Sequence, residues 1–291
     1  MDTAKPRLRT GLNYVKTTLL LGAMTALLVL LGGRLGGQTG LVMGFSLALL
    51  MNVSSYWWSH KIVLAMHHAQ EADPREVPWL FEIVDRLRQR AGIPMPRVYL
   101  IDEDAPNAFA TGRNPAHAVV AVTTGLLRLL GRQELEGVLA HELGHIRNRD
   151  ILIMSVAATL AGAVQMIGTM LHWGALLGFG RRESDDRGGG LEMLVWAIVA
   201  PLIAVIVQLW ISRTREYAAD AEGARLAGSA HGLASALRRL ESANQRIPSP
   251  HRPASAHLYI VAPLSGGGMG RLFATHPPIA ERIARLEALG F

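Results

Sequence analysis

The sequence contains no cysteine, so disulfide bonds are excluded, and so is a metal site built on thiolates. A metal ion in this protein must therefore be bound by His, Asp or Glu. Charged residues are also scarce, at 18% of the chain against about a quarter in an ordinary soluble protein. Hydrophobic residues make up 50% of the 291 residues, which indicates a membrane protein with room for one sizeable domain or two small ones.

The sequence also lacks any block of lysines and arginines interleaved with aromatic residues. A net charge of +6 can indicate nucleic-acid binding, but without such a block or a nucleic-acid motif we expect no nucleic-acid partner. We interpret the positive charges as topology signals and as attraction to anionic headgroups, so the expected partner is the lipid bilayer.

Four long apolar runs fall in two pairs, at residues 17–31 and 40–58 and at residues 151–180 and 191–211. Each is near or above the roughly 20 residues that cross a hydrocarbon core about 30 Å thick. The short glycine-rich connector 32–39 predicts a helical hairpin. A signal peptide is the alternative for the first run, but no cleavage site is apparent, so we expect a retained anchor. Buried core helices are the alternative for the last two runs, and their length argues against it.

Basic residues flank the first pair of apolar runs. By the positive-inside rule, they predict that the N-terminus and the segment after the second run are cytoplasmic. The residues concerned are Lys5, Arg7, Arg9, Lys16 and Lys61. The expected organisation is a transmembrane hairpin over 1–58, a cytoplasmic part over 59–150, a second transmembrane hairpin over 151–211, and a second cytoplasmic part over 212–291.

The two cytoplasmic parts have the patterns of soluble protein. Apolar residues at helical spacing predict helices over Pro78–Ala91, from Gln133 onward, and over 214–227, 233–244 and 277–289. Strands are expected over Arg97–Ile101, 109–111 and 118–122, and residues 246–270 predict a loop rich in Pro, Gly and Ser. The predicted fold is mainly α with a small β-sheet, and it includes four transmembrane helices.

The segment His141-Glu142-Leu143-Gly144-His145 lies on the helix predicted from Gln133 onward. Its two histidines are four residues apart, so both imidazoles project from one face, as a tetrahedral zinc ion requires of two ligands on one element. Glu142 is placed to reach a water molecule at the metal and to act as general base. The alternative is a helix that carries two surface histidines.

A catalytic zinc site needs a third protein ligand and an open fourth position. Glu216 and Asp220 are four residues apart on the predicted helix 214–227. Glu216 can bind zinc, while Asp220 can accept the second N–H of a ligating histidine. Because His145 precedes the second hairpin and Glu216 follows it, the hairpin brings them together at the cytoplasmic membrane surface. An ordinary solvent-facing acidic pair is the alternative.

Four motifs together resemble the HtpX-type membrane zinc metalloproteases, which are relatives of the CAAX prenyl proteases within the gluzincin class. The motifs are His-Glu-Leu-Gly-His, Glu-Tyr-Ala-Ala-Asp after an apolar hairpin, Asn-Ala-Phe-Ala-Thr-Gly and Thr-His-Pro-Pro. The resemblance implies a zincin-like cytoplasmic catalytic domain with one zinc ion per chain. It implies zinc ligation by His141, His145 and Glu216, with Glu142 as the base and Asp220 as a supporting residue.

The resemblance implies two further groups of site residues. An edge strand along the zinc helix would bind the substrate backbone through main-chain hydrogen bonds, and it comprises Asn107, Ala108, Phe109 and Ala110. His276 and Arg282 match a histidine and an arginine that stabilise the tetrahedral transition state and its surroundings, where an oxyanion develops. The alternatives for these two are a surface histidine and a surface helix charge.

We therefore expect a membrane-embedded zinc metalloendopeptidase. The resemblance implies that it acts on misfolded or damaged membrane proteins, in a bacterial cytoplasmic membrane, with its active site on the cytoplasmic side. A prenyl-protein protease is one alternative, although four spans are few for that group. A membrane metal-binding protein without catalysis is another, and Glu142 argues against it because structural zinc requires no adjacent base.

Overall fold

The computed structural model describes residues 4–160, 213–244 and 277–290. In chain order its elements are α1 (Ala4–Met66), β1 (Gln70–Glu71), α2 (Pro78–Ala91), β2 (Arg97–Ile101), β3 (Ala108–Gly112), a 3-10 turn (Pro115–His117), β4 (Ala118–Thr123), α3 (Thr124–Leu129), α4 (Arg132–Arg147), α5 (Ile151–Leu160), α6 (Arg213–Ala227), α7 (His231–Asn244) and α8 (Ile279–Glu287). The described part is mainly helical with one small sheet, which confirms that aspect of the predicted fold class.

Helix α1 is a hairpin of two helical arms. The chain turns at Gly37, whose φ of 58° is a left-handed conformation that suits glycine. The arms are in close contact, since a Cβ added at Gly32 would overlap the carbonyl oxygen of Gly40. Asn52 on the second arm donates a hydrogen bond of 2.8 Å to the Thr25 hydroxyl on the first arm. The turn thus lies within the glycine-rich connector.

Both arms of α1 are long and apolar enough to cross a membrane, over Asn13–Arg34 and Gly36–Met66. Only 22% of the most apolar stretch of each arm is buried, so neither resembles the core helix of a soluble protein. Among the described residues, the exposed large apolar side chains lie on α1, apart from Met95 and Leu289. Such a continuous apolar surface suits contact with lipid. The second arm extends beyond the apolar run 40–58.

Helix α5 is the described beginning of the third apolar run. Four of its apolar side chains pack in one cluster with Leu20, Met24 and Leu28 of the first arm of α1. The prediction of four transmembrane helices is therefore supported for two helices among the described residues, and α5 is a shorter apolar helix. The rest of the third run, the fourth run at 191–211 and the predicted loop 246–270 lie outside the described residues.

The sheet has the strand order β1-β2-β4-β3. Because β2 is parallel to β4 and β3 is antiparallel to β4, the sheet is mixed and β3 lies at its edge. The three predicted strands are confirmed. Strand β1 was not predicted, since it has two residues and its antiparallel pairing with β2 depends on a tertiary contact.

Helix α4 lies at the centre of the packed helices and contacts α2, α6, α7 and strand β3. Its residues from Gly137 to Ile146 are all buried. The predicted helices in the described ranges are confirmed, with ends that differ by a few residues. The short helix α3 was not predicted, and its first turn is capped by the Thr123 hydroxyl, which accepts the Leu126 N–H at 3.1 Å.

Candidate active site

The start of α4 is fixed by Glu134, whose carboxylate accepts the backbone N–H of Gly131 at 2.8 Å. The same carboxylate accepts a hydrogen bond of 2.7 Å from the Ser235 hydroxyl on α7. Fixing the helix in this way positions the side chains two turns further along it, where His141, Glu142 and His145 are all buried. The alternative of two surface histidines is therefore excluded.

Helix α6 approaches α4 at two glycines. A Cβ added at Gly223 would lie 2.8 Å from the backbone nitrogen of His141, which is closer than real Cβ atoms come. A Cβ added at Gly144 would lie 3.2 Å from the carbonyl oxygen of Ala219, a tight contact. Glycine at these positions allows the two backbones to approach closely, which brings the first turn of α6, with Glu216, to the histidines.

Glu216 lies opposite both histidines. Its Oε2 is 3.7 Å from Nε2 of His141, and its Oε1 is 3.5 Å from Nε2 of His145. The two imidazole rings are nearly perpendicular, with centroids 4.7 Å apart and an interplanar angle of 86°. One ligand atom from each of the three residues can be chosen so that all lie within 4.8 Å of one another, and all three residues are buried.

These separations fit a tetrahedral zinc site. Two donors that each lie roughly 2.0–2.1 Å from a tetrahedral ion stand about 3.4 Å apart, close to the separations of 3.5 and 3.7 Å seen here. Two imidazoles and one carboxylate are also a ligand set that leaves an open position for catalysis. The residues present therefore fit zinc, and they converge as the sequence predicted.

Asp220 and Arg282 support His141 on the Nδ1 side of its ring. Its Nδ1 lies 3.0 Å from Oδ1 of Asp220, and the Arg282 guanidinium donates two hydrogen bonds of 2.9 and 2.7 Å to that carboxylate. Burial alone would raise the pKa of Asp220, but the charge of Arg282, the adjacent His141 ring and the hydrogen bonds from Arg282 hold it below its ordinary value. A carboxylate behind Nδ1 leaves Nε2 as the nitrogen that faces the metal position.

His145 has a corresponding support in Asp150. Its Nδ1 lies 3.3 Å from Oδ2 of Asp150, which is itself buried. Burial lowers the pKa of His145, but the hydrogen bond to Asp150 and the charges of Glu216, Asp150 and Glu142 outweigh it and raise the pKa to about 9. Positive charge is thus favoured at this position, which is consistent with a cation site.

Glu142 lies beside the ligands and bonds to the edge strand. Its Oε2 accepts the backbone N–H of Ala110 on β3 at 2.8 Å. Burial, reinforced by the charge of Glu216, raises the pKa of the Glu142 carboxyl to about 7. A carboxyl that titrates near neutrality can both accept and donate a proton at physiological pH, as a general base and acid must.

The remaining predicted residues are placed as follows. Asn107, Ala108, Phe109 and Ala110 are buried on or beside β3, at the edge of the sheet and next to α4. Arg282 is fully buried, it pairs with Asp220, and its Nη1 lies 3.8 Å from Oε2 of Glu216. The alternative of a surface charge is thus excluded for Arg282. His276 lies outside the described residues.

Comparison with known proteins gives the family. A model described as peptidase family M48 matches residues 74–289, which is most of the chain and includes every proposed metal ligand. The chain belongs to peptidase family M48. As an M48 protein it is a metalloendopeptidase, and the predicted resemblance is confirmed.

Two relatives show how far the similarity extends. A protease HtpX homolog of Desulforapulum autotrophicum is 53% identical over 277 residues, covering 94% of this chain and 89% of the relative. A protease HtpX homolog of Pelotomaculum thermopropionicum is 52% identical over 279 residues, covering 96% and 99% respectively. The crystal structure of S. mikatae Ste24p shares the fold at a TM-score of 0.50 and 18% identity, over 98% of this chain and 66% of that one. This M48 chain therefore spans just under two thirds of that structure.

Sequence reasoning missed one residue of this M48 site, Asp150. It follows the zinc helix and directly precedes the third apolar run, a place where a polar residue is ordinary at the start of a helix. One signal could have indicated it. A carboxylate five residues after His145, just beyond the end of α4, is near enough to contact that histidine if the chain turns back.

Proposed function

We propose that this chain is a membrane-embedded zinc endopeptidase that binds one zinc ion per chain and uses Glu142 as its base. The observation that carries the proposal is the buried set of His141, His145 and Glu216 with the buried Glu142 carboxyl beside it. A bound zinc ion supplies Lewis-acid chemistry: it polarises a peptide carbonyl and lowers the pKa of water. The protein's own groups then position the reactants and move the proton.

In the proposed reaction the Glu142 carboxylate takes a proton from the attacking water and returns it to the leaving amine. The N–H of Ala110 donates a hydrogen bond to this carboxylate, so the position of the carboxylate depends on strand β3. Strand β3 is the sheet edge, and the substrate backbone would align along Asn107, Ala108, Phe109 and Ala110. His276 and Arg282 are the proposed stabilisers of the developing oxyanion and its surroundings.

The proposed location is a bacterial cytoplasmic membrane, with the active site on the cytoplasmic side and four transmembrane helices. Two apolar helical arms, exposed on most of their surface, support the membrane part. Asp150 lies at the end of α4 and at the start of α5, so the zinc helix leads directly into an apolar helix. Substrates would therefore be met at the bilayer surface, and we propose misfolded or damaged membrane proteins as the class.

The variant Glu142→Gln tests the mechanism. Purified full-length protein in detergent should retain its zinc but lose cleavage of labelled casein by about 10²–10⁴-fold, because the base is removed and the ligands are not. Glu136→Gln is the matched control, since Glu136 is on the same helix and pairs with Arg86 at 2.8 Å, away from the site. Undiminished cleavage by Glu142→Gln would falsify the proposed role.

The fold shared with a structure whose name is Ste24p makes a prenyl-protein protease the second candidate. A farnesylated CAAX peptide and a denatured membrane protein, offered together to the wild-type enzyme, separate the two. We expect cleavage of the denatured protein and competition by unlabelled denatured protein. Selective cleavage of the farnesylated peptide would favour the second candidate instead.

A further inference from the structure

Asp150 is a buried carboxylate that the proposed reaction does not use. It is 4% exposed, and its Oδ2 lies 3.3 Å from Nδ1 of the ligand His145. The rest of the His145 ring faces Glu216, so one nitrogen is directed at the metal position and the other at Asp150. In metal sites a carboxylate in this position fixes the tautomer and orientation of the histidine and raises its basicity.

The backbone just before Asp150 has an unusual conformation. After α4 the chain turns back at Arg149, whose φ of 59° is left-handed, although arginine has a Cβ that disfavours it. The N–H of Asp150 bonds to the carbonyl of His145 at 3.0 Å, and the N–H of Arg149 bonds to the carbonyl of Ile146 at 3.1 Å. These two bonds form a Schellman motif. Asp150 is thereby bonded to His145 through both its backbone and its side chain.

The other oxygen of Asp150 is held by the membrane hairpin. Asn13, on the first arm of α1, donates from Nδ2 to Oδ1 of Asp150 at 2.9 Å. Asn13 is itself only 9% exposed, and the same amide group lies 3.5 Å from the carbonyl oxygen of Arg149. A polar side chain on an apolar helix is costly unless it has partners, so these two contacts account for an asparagine in this arm.

We infer that Asp150 is a positioning residue for His145 and that Asn13 holds Asp150 in place, so that the first membrane arm is joined to the metal site by two hydrogen bonds. The inference deepens the proposed function and rests on its metal site. Its consequence is that the affinity and geometry of the site depend on how α1 packs against α4 and α5. Loss of a supporting group of this kind typically weakens metal affinity about 10–100-fold.

The direct test of this dependence on Asp150 and Asn13 is the zinc affinity of full-length protein in nanodiscs, measured by competition with a chelator. We expect Asp150→Ala to bind zinc about 10–100-fold more weakly. Asp150→Asn, which keeps the size and one acceptor oxygen, should bind with intermediate affinity and covers the case in which the alanine variant does not fold. Asn13→Leu should weaken binding about tenfold, because Asp150 remains but is no longer held.

Asn52→Leu is the matched control. Asn52 is also an asparagine on α1 and also bonds across helices, to Thr25 and to the carbonyl of Leu21, but it does not contact the metal site. Its variant should keep the wild-type zinc affinity. Equal weakening by Asn52→Leu and Asn13→Leu would show a general loss of helix packing and would overturn the inference.

Cobalt substitution adds a readout that a purely structural role would not change. The visible absorption bands of bound Co²⁺ report the ligand field, so they should shift in Asp150→Asn and Asn13→Leu and stay in place in Asn52→Leu. Wild-type affinity and spectrum in both Asp150 variants would overturn the inference while leaving the peptidase intact. Conversely, full cleavage by Glu142→Gln would remove the proposed mechanism even if the Asp150 variants lose zinc.

Discussion

The two histidine ligands have equivalent supports that come from different parts of the molecule. Nδ1 of His141 lies 3.0 Å from Asp220, and Nδ1 of His145 lies 3.3 Å from Asp150. Asp220 is on the same helix as Glu216 and is bound through two hydrogen bonds by Arg282, so this side is built from helices α4, α6 and α8.

The His145 side is assembled differently. Asp150 lies beyond the end of the zinc helix and accepts a hydrogen bond from Asn13, a side chain of an apolar arm. A site built from one domain has a geometry fixed by that domain, whereas the His145 side is completed by a long apolar helix. The packing of the first arm of α1 is thus linked to the site on the His145 side, through Asn13 and Asp150.

The largest expected effect is on the His141 side. Arg282→Met removes the buried partner of Asp220 and leaves two buried carboxylates, Asp220 and Glu216, without its charge. We expect the free energy of unfolding to fall by about 3–5 kcal/mol. Chemical denaturation of the solubilised protein measures it. Arg285→Met, on the exposed face of the same helix, is the control, and a loss as small as the control's would contradict this account of the His141 side.

A second change moves α6 relative to α4 without touching a ligand. In Gly223→Ala the new methyl group would meet the backbone of His141, so the helix that carries Glu216 must shift. We expect a loss of stability of about 1–3 kcal/mol and weaker zinc binding. Thermal unfolding with and without zinc measures both. Gly22→Ala, which meets nothing within 4 Å, should cause neither effect; unchanged zinc binding in Gly223→Ala would show that the close approach is not needed.

A smaller effect is expected on the His145 side. Arg149→Gly relieves the left-handed strain of the turn that precedes Asp150. Glycine accepts this conformation, so we expect stability to rise by up to about 1 kcal/mol with zinc affinity unchanged. Thermal unfolding and chelator competition check the two parts. A fall in zinc affinity would mean that the Arg149 side chain itself contributes to the site.

The smallest effect is expected at an ion pair far from either support. Arg132 on α4 lies 3.4 Å from Glu82, and both side chains are mostly exposed. Arg132→Ala should change the free energy of unfolding by less than about 0.5 kcal/mol and leave zinc binding as it is. Denaturation of this variant beside Arg282→Met compares an exposed charge with a buried one on the same scale. A similar loss of unfolding free energy in both variants would contradict the distinction between the exposed and the buried charge.

Much of the site could be predicted because it is local. His141 and His145, and likewise Glu216 and Asp220, are paired by helical periodicity, which a sequence shows directly. The approach of the two helices was predicted from the transmembrane hairpin expected between them in sequence, and the structure brings the three ligands together. The helices and strands of the described ranges followed from apolar spacing in the same way.

The rest depends on tertiary contacts. The role of Asp150 requires a left-handed turn at Arg149, a residue type that rarely adopts one, and the approach of Asn13 from over a hundred residues away in sequence. The pairing of Arg282 with Asp220 is likewise set by the packing of α8 against α6 and α7. No local sequence pattern predicts either contact.

The central claim is that His141, His145 and Glu216 form one catalytic metal centre. The most direct test is the zinc content of purified wild-type protein and of Glu216→Ala, together with X-ray absorption at the zinc edge. We predict one zinc per wild-type chain, with nitrogen and oxygen ligands at roughly 2.0–2.1 Å, and loss of most of the zinc in Glu216→Ala. A full equivalent of zinc with an unchanged absorption spectrum in Glu216→Ala would contradict the account.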